Sequence, residues 1–242
     1  MIFVDRVDVA RPKMNASQVD AHISTMKSNR ETKMPRLYSY LMTHDSGFAP
    51  NPFFGCLTLA TCMTEIRRTK KVGDWVAGFA SKALVKKCHA RGLNIPYQGL
   101  IYLMEVGEIL PLNTYFDDPR FQQKKAIPLG SSNVMLERGD NIYHLDDKGN
   151  FQQLENDNHD EGELLKDTKG KNVLIAKQFY YFGRACPAPD ASWRSLNVRV
   201  PDRYISCGCE SDGLALDKII KFMHEQGLKP GVHGRPCIWD TI

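Results

Sequence analysis

Residues 37–68 read LYSYLMTHDSGFAPNPFFGCLTLATCMTEIRR, and this stretch decides how the chain is built. Its first part, LYSYLMT at residues 37–43, is apolar and β-prone, follows Pro35 and runs into a His-Asp-Ser-Gly turn, which predicts a core strand. The segment HDSGFAPNPFFG that follows is too rich in Gly and Pro for regular structure. Residues 58–69 then predict a helix, because Leu59, Cys62, Met63 and Ile66 share one face at helical spacing. Its end is expected at Lys70-Lys71, where cations suit the negative end of the helix dipole.

Outward from there, Gly73-Asp74 makes a turn and WVAGFAS at residues 75–81 a strand. Residues 82–98 read as basic and irregular. LIYLMEVGEIL at residues 100–110 is the strongest strand signal, and its near-continuous apolar character implies cover on both faces. PLNTYFDDPRF predicts a short helix interrupted at Pro119. A hairpin is expected in NIYHL-DDKGN-FQQL, a polar loop over residues 155–171, and a strand in NVLIAKQFYYFG. Residues 211–226 predict an amphipathic helix with Leu214, Ile219, Phe222 and Met223 apolar, stopped by Gly227. Strands dominate the middle without regular strand–helix–strand crossovers, so the expected class is α+β. Residues 1–36 are expected to be an N-terminal arm and residues 37–242 a single domain.

The chain has 242 residues, 42% apolar and 25% charged, which excludes a mostly disordered chain, a collagen-like repeat and a disulfide miniprotein. Charged residues from Asp5 onward leave no apolar signal core, and no run is long enough to span a membrane. A cytoplasmic protein with seven free thiols is the expectation, an odd count arguing against a disulfide framework. The net charge of +4 hides an asymmetry, since residues 137–167 hold ten acids against three bases. The basic remainder suits a polyanion, and the acidic loop at residues 155–167 offers a surface for a protein partner.

The chemistry-bearing residues cluster in residues 44–68. A proline-stiffened loop before a helix exposes backbone N–H groups where anions bind. Thr58 and Thr61 are placed to cap that helix or touch a ligand. Cys62 is the nucleophile candidate, its thiol favoured by a helix start, with His44 as base and Asp45 as orienter. The alternative is that Cys62, on the apolar helix face, packs as a small hydrophobe. Arg67, Arg68, Lys70 and Lys71 form a basic block suited to phosphate. Cys207-x-Cys209 with His224, His233 and Cys237 is a possible zinc set, though the Cys-x-Cys spacing is short for one. No metal and no cofactor is expected.

The runs DSGFAPNPF (45–53), LTLATC (57–62), IRR (66–68) and GDWVAG (73–78), with LIYLMEVGEILPLNTYFDDPRF (100–121) and, more loosely, residues 173–184, resemble the second type of nucleotide-modification-associated domain. That family, from bacteria and phages, is linked by genomic context to DNA base hypermodification. Its pattern continues Thr-Cys with Lys-Pro, where Met63-Thr64 stand here. Gly-Asp-Trp-Val, Val106-Gly107-Glu108 and Tyr-x-Asp-x-Pro-Arg are also similar to the PUA-like readers of modified bases. This likeness implies a small β-barrel or strongly curved mixed sheet, with one helix after the first strand and another near the C-terminus. Stacking faces are then expected from Trp75, Tyr102, Tyr115, Phe116 and Trp193. The resemblance implies a protein that binds a nucleotide, nucleobase or nucleic acid as a reader or as an accessory or modifying factor. Asp45 and Asn51 would meet polar edges, the loop backbone and Arg67 phosphate, and Trp75 would stack on the base, with Ser46, Thr58, Thr61, Arg68 and Asp74 in the same binding site. The alternative is a thiol-dependent transferase or hydrolase acting on a nucleotide or nucleoside.

Overall fold

The protein, seen in a computed structural model, is described over residues 35–239 apart from residues 129, 131–132 and 190. The expected arm, but for its last two residues, lies outside the described residues.

Four long apolar runs form the middle of one mixed sheet: β1 (Leu37–Met42), β3 (Trp75–Ala80), β4 (Leu100–Pro111) and β7 (Asn172–Tyr181). Two-residue β2 (Thr58–Leu59), β8 (Cys209–Ser211) and β9 (Gly231–Val232) complete it. The strand order is β2-β7-β4-β3-β1-β8, and β9 pairs with β7 beyond β2 on the same edge. β1 runs parallel to β3 and β9 to β7, while the other pairs are antiparallel. The path is open, so the described strands close no barrel. The expected barrel gives way to a sheet bent at β4, where the register shifts twice around Val106.

Registered neighbours share a face of a sheet. One row runs Tyr40, Gly78, Tyr102, Tyr181 across β1, β3, β4 and β7. Gly78 is needed there, because a Cβ would lie 2.5 Å from Tyr102 Cε1 and overlap Met42 Sδ. The other face carries Phe79 against Trp193, which in turn packs edge-on to Phe222 of α6 (Gly213–Glu225). α6 is capped by Asp212 Oδ1 on the Ala215 N–H (3.0 Å) and buries Ala215, Leu216, Ile219 and Met223. It ends before Gly227 (φ 68°), as its periodicity and glycine predict, although Leu214 faces solvent.

Three local expectations are corrected. Residues 58–69 are not one helix: Thr58 and Leu59 pair with Ile175 and Leu174, and only α1 (Thr64–Thr69) is helical. The basic stretch after β3 begins with α2 (Lys82–His89), whose first turn is capped by Ser81 Oγ on the Leu84 N–H (3.1 Å). The polar loop after residue 155 contains α5 (Glu161–Asp167) and a 3-10 turn, Thr168–Gly170. The hairpin is present as β5 (Tyr143–Leu145) and β6 (Phe151–Gln153), with Asp146 Oδ1 accepting from the Lys148 and Asn150 amides. The short expected helix is α3 (Leu112–Asp117), followed by a 3-10 turn from Pro119 and, before the hairpin, by the single turn α4 (Val134–Glu137).

Candidate active site

β2 and α1 are joined by two consecutive left-handed residues, Cys62 (φ 55°) and Met63 (φ 36°). That backbone is costly for side chains bearing a Cβ and persists only where surrounding contacts over-determine it. Here the contacts come from Arg67, whose side chain is fully buried. Its Nε donates to the Cys62 carbonyl (2.7 Å), Nη1 to the Asn172 carbonyl (2.9 Å), and Nη2 to the Asp167 carbonyl (2.7 Å) and Oδ1 (3.3 Å). Gly170 makes the space, since a Cβ there would lie 2.5 Å from the guanidinium carbon.

This turn presents Cys62 to the wall of a cavity of about 420 Å³ under the loop of residues 44–49. Cys62 Sγ lies 3.3 Å from His159 Nε2. The other ring nitrogen, Nδ1, is 3.1 Å from Asp167 Oδ2. The same carboxylate oxygen accepts from the Tyr143 hydroxyl (3.0 Å) and the Cys62 amide (3.0 Å). Thiol, imidazole and carboxylate thus stand in line, with the carboxylate tied to both the Cys62 amide and Arg67.

Burial alone would depress His159, but hydrogen bonds to Asp167 and Cys62 outweigh it and raise the imidazole to about 10. Asp167 is held below the ordinary carboxylate range. Burial pushes it up, and His159 and Arg67 more than offset that. Phe48 meets the His159 ring edge-on at 4.9 Å, and Asn156 Oδ1 accepts from the His159 amide (2.9 Å), which fixes the loop before α5.

The residues anticipated for the site fall into two groups. Cys62, His44 and Ser46 line the cavity. His44 Nδ1, however, faces Lys87 Nζ (3.4 Å), and burial with Lys87 nearby lowers the imidazole to about 4. Asp45 is buried, with its carboxylate accepting from the Tyr181 hydroxyl (2.6 Å) and the Cys237 amide (2.8 Å). The partners anticipated for Cys62 are therefore otherwise engaged, and His159 and Asp167 occupy those positions. Asp45 instead pins the C-terminal segment, where Trp239 stacks on Phe53.

The others do structural work. Asn51 Oδ1 accepts from the buried Lys124 Nζ (2.7 Å), and its Nδ2 donates to the Arg138 carbonyl. Thr58 Oγ1 donates to Asp140 Oδ2 (2.7 Å), Thr61 is fully buried, and the residue preceding α1 is Met63, which gives no side-chain cap. Arg67 is enclosed and cannot meet a phosphate, and Arg68 is exposed and paired with Glu65 (2.6 Å). Asp74 Oδ2 accepts from the Lys71 amide, and Trp75 is packed in the core away from the cavity. Among the described residues no three His, Cys, Asp or Glu side chains are grouped to hold a metal, so Cys207, Cys209, His224, His233 and Cys237 do not assemble the zinc set weighed from their spacing. No described helix is long and apolar enough to cross a membrane.

His159 and Asp167 went unnoticed because they lie 97 and 105 residues beyond Cys62, inside a run of acids that reads as solvated surface. A histidine within that run, followed by the Asp160 N-cap of α5, was the available signal.

No curated protein and no solved structure matches the chain. The model of nucleotide modification associated domain 2 matches residues 34–240, and the chain belongs to that family, whose general role is in nucleotide modification.

Proposed function

We propose that this protein is a thiol-dependent enzyme of nucleotide modification, with Cys62 as nucleophile, His159 as proton acceptor and donor, and Asp167 as the orienting carboxylate. The observation that carries the reading is the 3.3 Å contact between Cys62 Sγ and His159 Nε2, backed by Asp167 at 3.1 Å. The strained backbone at Cys62 adds weight, because such strain collects at reactive turns between strand and helix.

The chemistry follows from the groups present. The one proton that Cys62 and His159 share rests on the imidazole as Sγ adds to an electrophilic carbon of the nucleotide or nucleobase. The leaving group departs with that proton. Water, or a second acceptor, then attacks the thio-linked carbon, His159 takes its proton, and Sγ is released with the proton returned. The raised basicity of His159 favours the proton on the ring while sulfur attacks.

The cavity suits a base-sized guest. Tyr40, Phe48 and Tyr204 bring aromatic walls, the role the sequence pointed toward Trp75 to fill, and Ser46, Thr64 and Lys166 bring polar ones. The test is turnover of a panel of nucleoside phosphates and of modified and plain DNA, read by mass spectrometry. Wild type converts one member of the panel, while Cys62→Ala and His159→Ala do not. A modified DNA bound equally by wild type and Cys62→Ala, with no conversion by either, would overturn the catalytic reading in favour of a reader.

A further inference from the structure

The row Tyr40–Gly78–Tyr102 places two tyrosines on one face with a glycine between them, and their hydroxyls meet over Gly78 at 3.0 Å. Tyr102 is wholly enclosed, and among the described residues its hydroxyl has Tyr40 as partner and no other. Tyr40 lines the same cavity as Cys62.

Two hydrogen arrangements are open to this pair. If Tyr40 donates to Tyr102, the Tyr102 proton is left in the apolar core without an acceptor, at the full desolvation cost of an unmet donor. If Tyr102 donates to Tyr40, every buried group is served, and the Tyr40 proton is free to turn to the cavity. The second arrangement wins. It also polarises the Tyr40 hydroxyl, because an oxygen that accepts one hydrogen bond donates the next more strongly.

We propose that the Tyr40 hydroxyl, supported by Tyr102, donates a hydrogen bond to the oxyanion that forms when Cys62 attacks a carbonyl-type carbon. This makes Tyr40 a catalytic residue and narrows the substrate to one whose reacting carbon bears an oxygen, such as an acyl, amide or ring carbonyl group. The proposal rests on the reading of Cys62 as nucleophile.

Two reagents separate the two ideas. With p-nitrophenyl acetate, Sγ bonds to the carbonyl carbon, charge builds on the carbonyl oxygen, p-nitrophenolate leaves as the C–O bond breaks, and His159 holds the thiol proton. With iodoacetamide, Sγ displaces iodide from a methylene carbon and no oxyanion forms. Peptide mass mapping follows Cys62 in both, with the exposed Cys207 as internal reference.

The expected result is that Tyr40→Phe slows acetylation of Cys62 by roughly 10²-fold and leaves its alkylation unchanged. Tyr40→Phe/Tyr102→Phe, which removes both hydroxyls and leaves neither unmet, shows the same loss and guards against a folding artefact. A reactive Cys62 whose acetylation is unchanged in Tyr40→Phe, or whose two reactions slow together, overturns the role of Tyr40 alone. Recovery of acetylation in the double variant does so too. A wild-type Cys62 no faster than Cys207 with either reagent overturns the nucleophile reading and the role of Tyr40 with it.

Discussion

Asp167→Asn keeps the shape of the side chain and removes its charge. In the wild type, Asp167 is about as exposed as the core around it. Its side chain is 1% accessible and that of its partner Arg67 is 0%. Taking one partner from a buried ion pair leaves the other charge uncompensated, at a cost of about 3–5 kcal/mol. Arg67 retains three carbonyl acceptors, at Cys62, Asn172 and Asp167 itself, which argues for the lower end of that range. A loss of about 3 kcal/mol is a large share of a typical total stability of roughly 5–15 kcal/mol. The corresponding fall in Tm is roughly 6–12 °C for a domain of this size. Urea unfolding followed by the fluorescence of buried Trp75 and Trp193 measures it, with the midpoint falling and the slope unchanged. A second readout separates a charge effect from lost packing. His159 is raised to about 10, so its contribution to stability is complete below the ordinary histidine value and fades as pH climbs through about 10. Asp167 is lowered, so its contribution is present above the ordinary aspartate value and fades as pH falls through the lowered one. The gap between wild type and variant is therefore widest between about pH 4 and 6.5, bounded by the ordinary values of the two groups. A loss under about 1 kcal/mol, within the range of an exposed pair, or a gap that does not vary with pH, would refute the reasoning.

Three further outcomes follow from the same contacts. Gly78→Ala forces a methyl group into Tyr102 and Met42 and destabilises the sheet by about 1–3 kcal/mol, which calorimetry detects. Arg67→Lys keeps a positive charge but loses the fork that joins Cys62, Asn172 and Asp167. Stability drops, and so does the iodoacetamide rate at Cys62, whereas Arg68→Ala, on the solvent side of α1, changes neither. Asp45→Asn weakens the tie to Tyr181 and the Cys237 amide, so limited proteolysis near the C-terminus speeds up while Cys62 keeps its reactivity.

The sequence revealed most of the sheet because the buried strands 37–42, 75–80, 100–111 and 172–181 are long apolar runs, and burial on both faces leaves no other reading. α6 was legible from its period and from Gly227. The turn at Cys62 was hidden, since a left-handed backbone at two side-chain-bearing residues is imposed by distant partners and leaves no local pattern. Helical spacing at Leu59, Cys62, Met63 and Ile66 was real as arithmetic but overridden by the pairing of Thr58 and Leu59 with β7. The oddity of residues 44–68 pointed to Cys62 and to the loop that lines the cavity with it. It pointed away from Arg67's true place, because a guanidinium that is buried against carbonyls and one that waits for phosphate look alike in sequence. The acidic run concealed His159 and Asp167 for a similar reason: charge density predicts solvent, and only the fold reveals that Glu137, Asp140 and Asp167 of the run are enclosed.

The most direct measurement of the central claim is the rate at which iodoacetamide modifies Cys62 relative to exposed Cys207 at pH 7, in wild type and in His159→Ala. Pairing with His159 predicts that Cys62 reacts roughly 10²-fold faster than Cys207 and that this lead vanishes in the variant. Equal rates at the two cysteines, or a lead that survives the loss of His159, would contradict it.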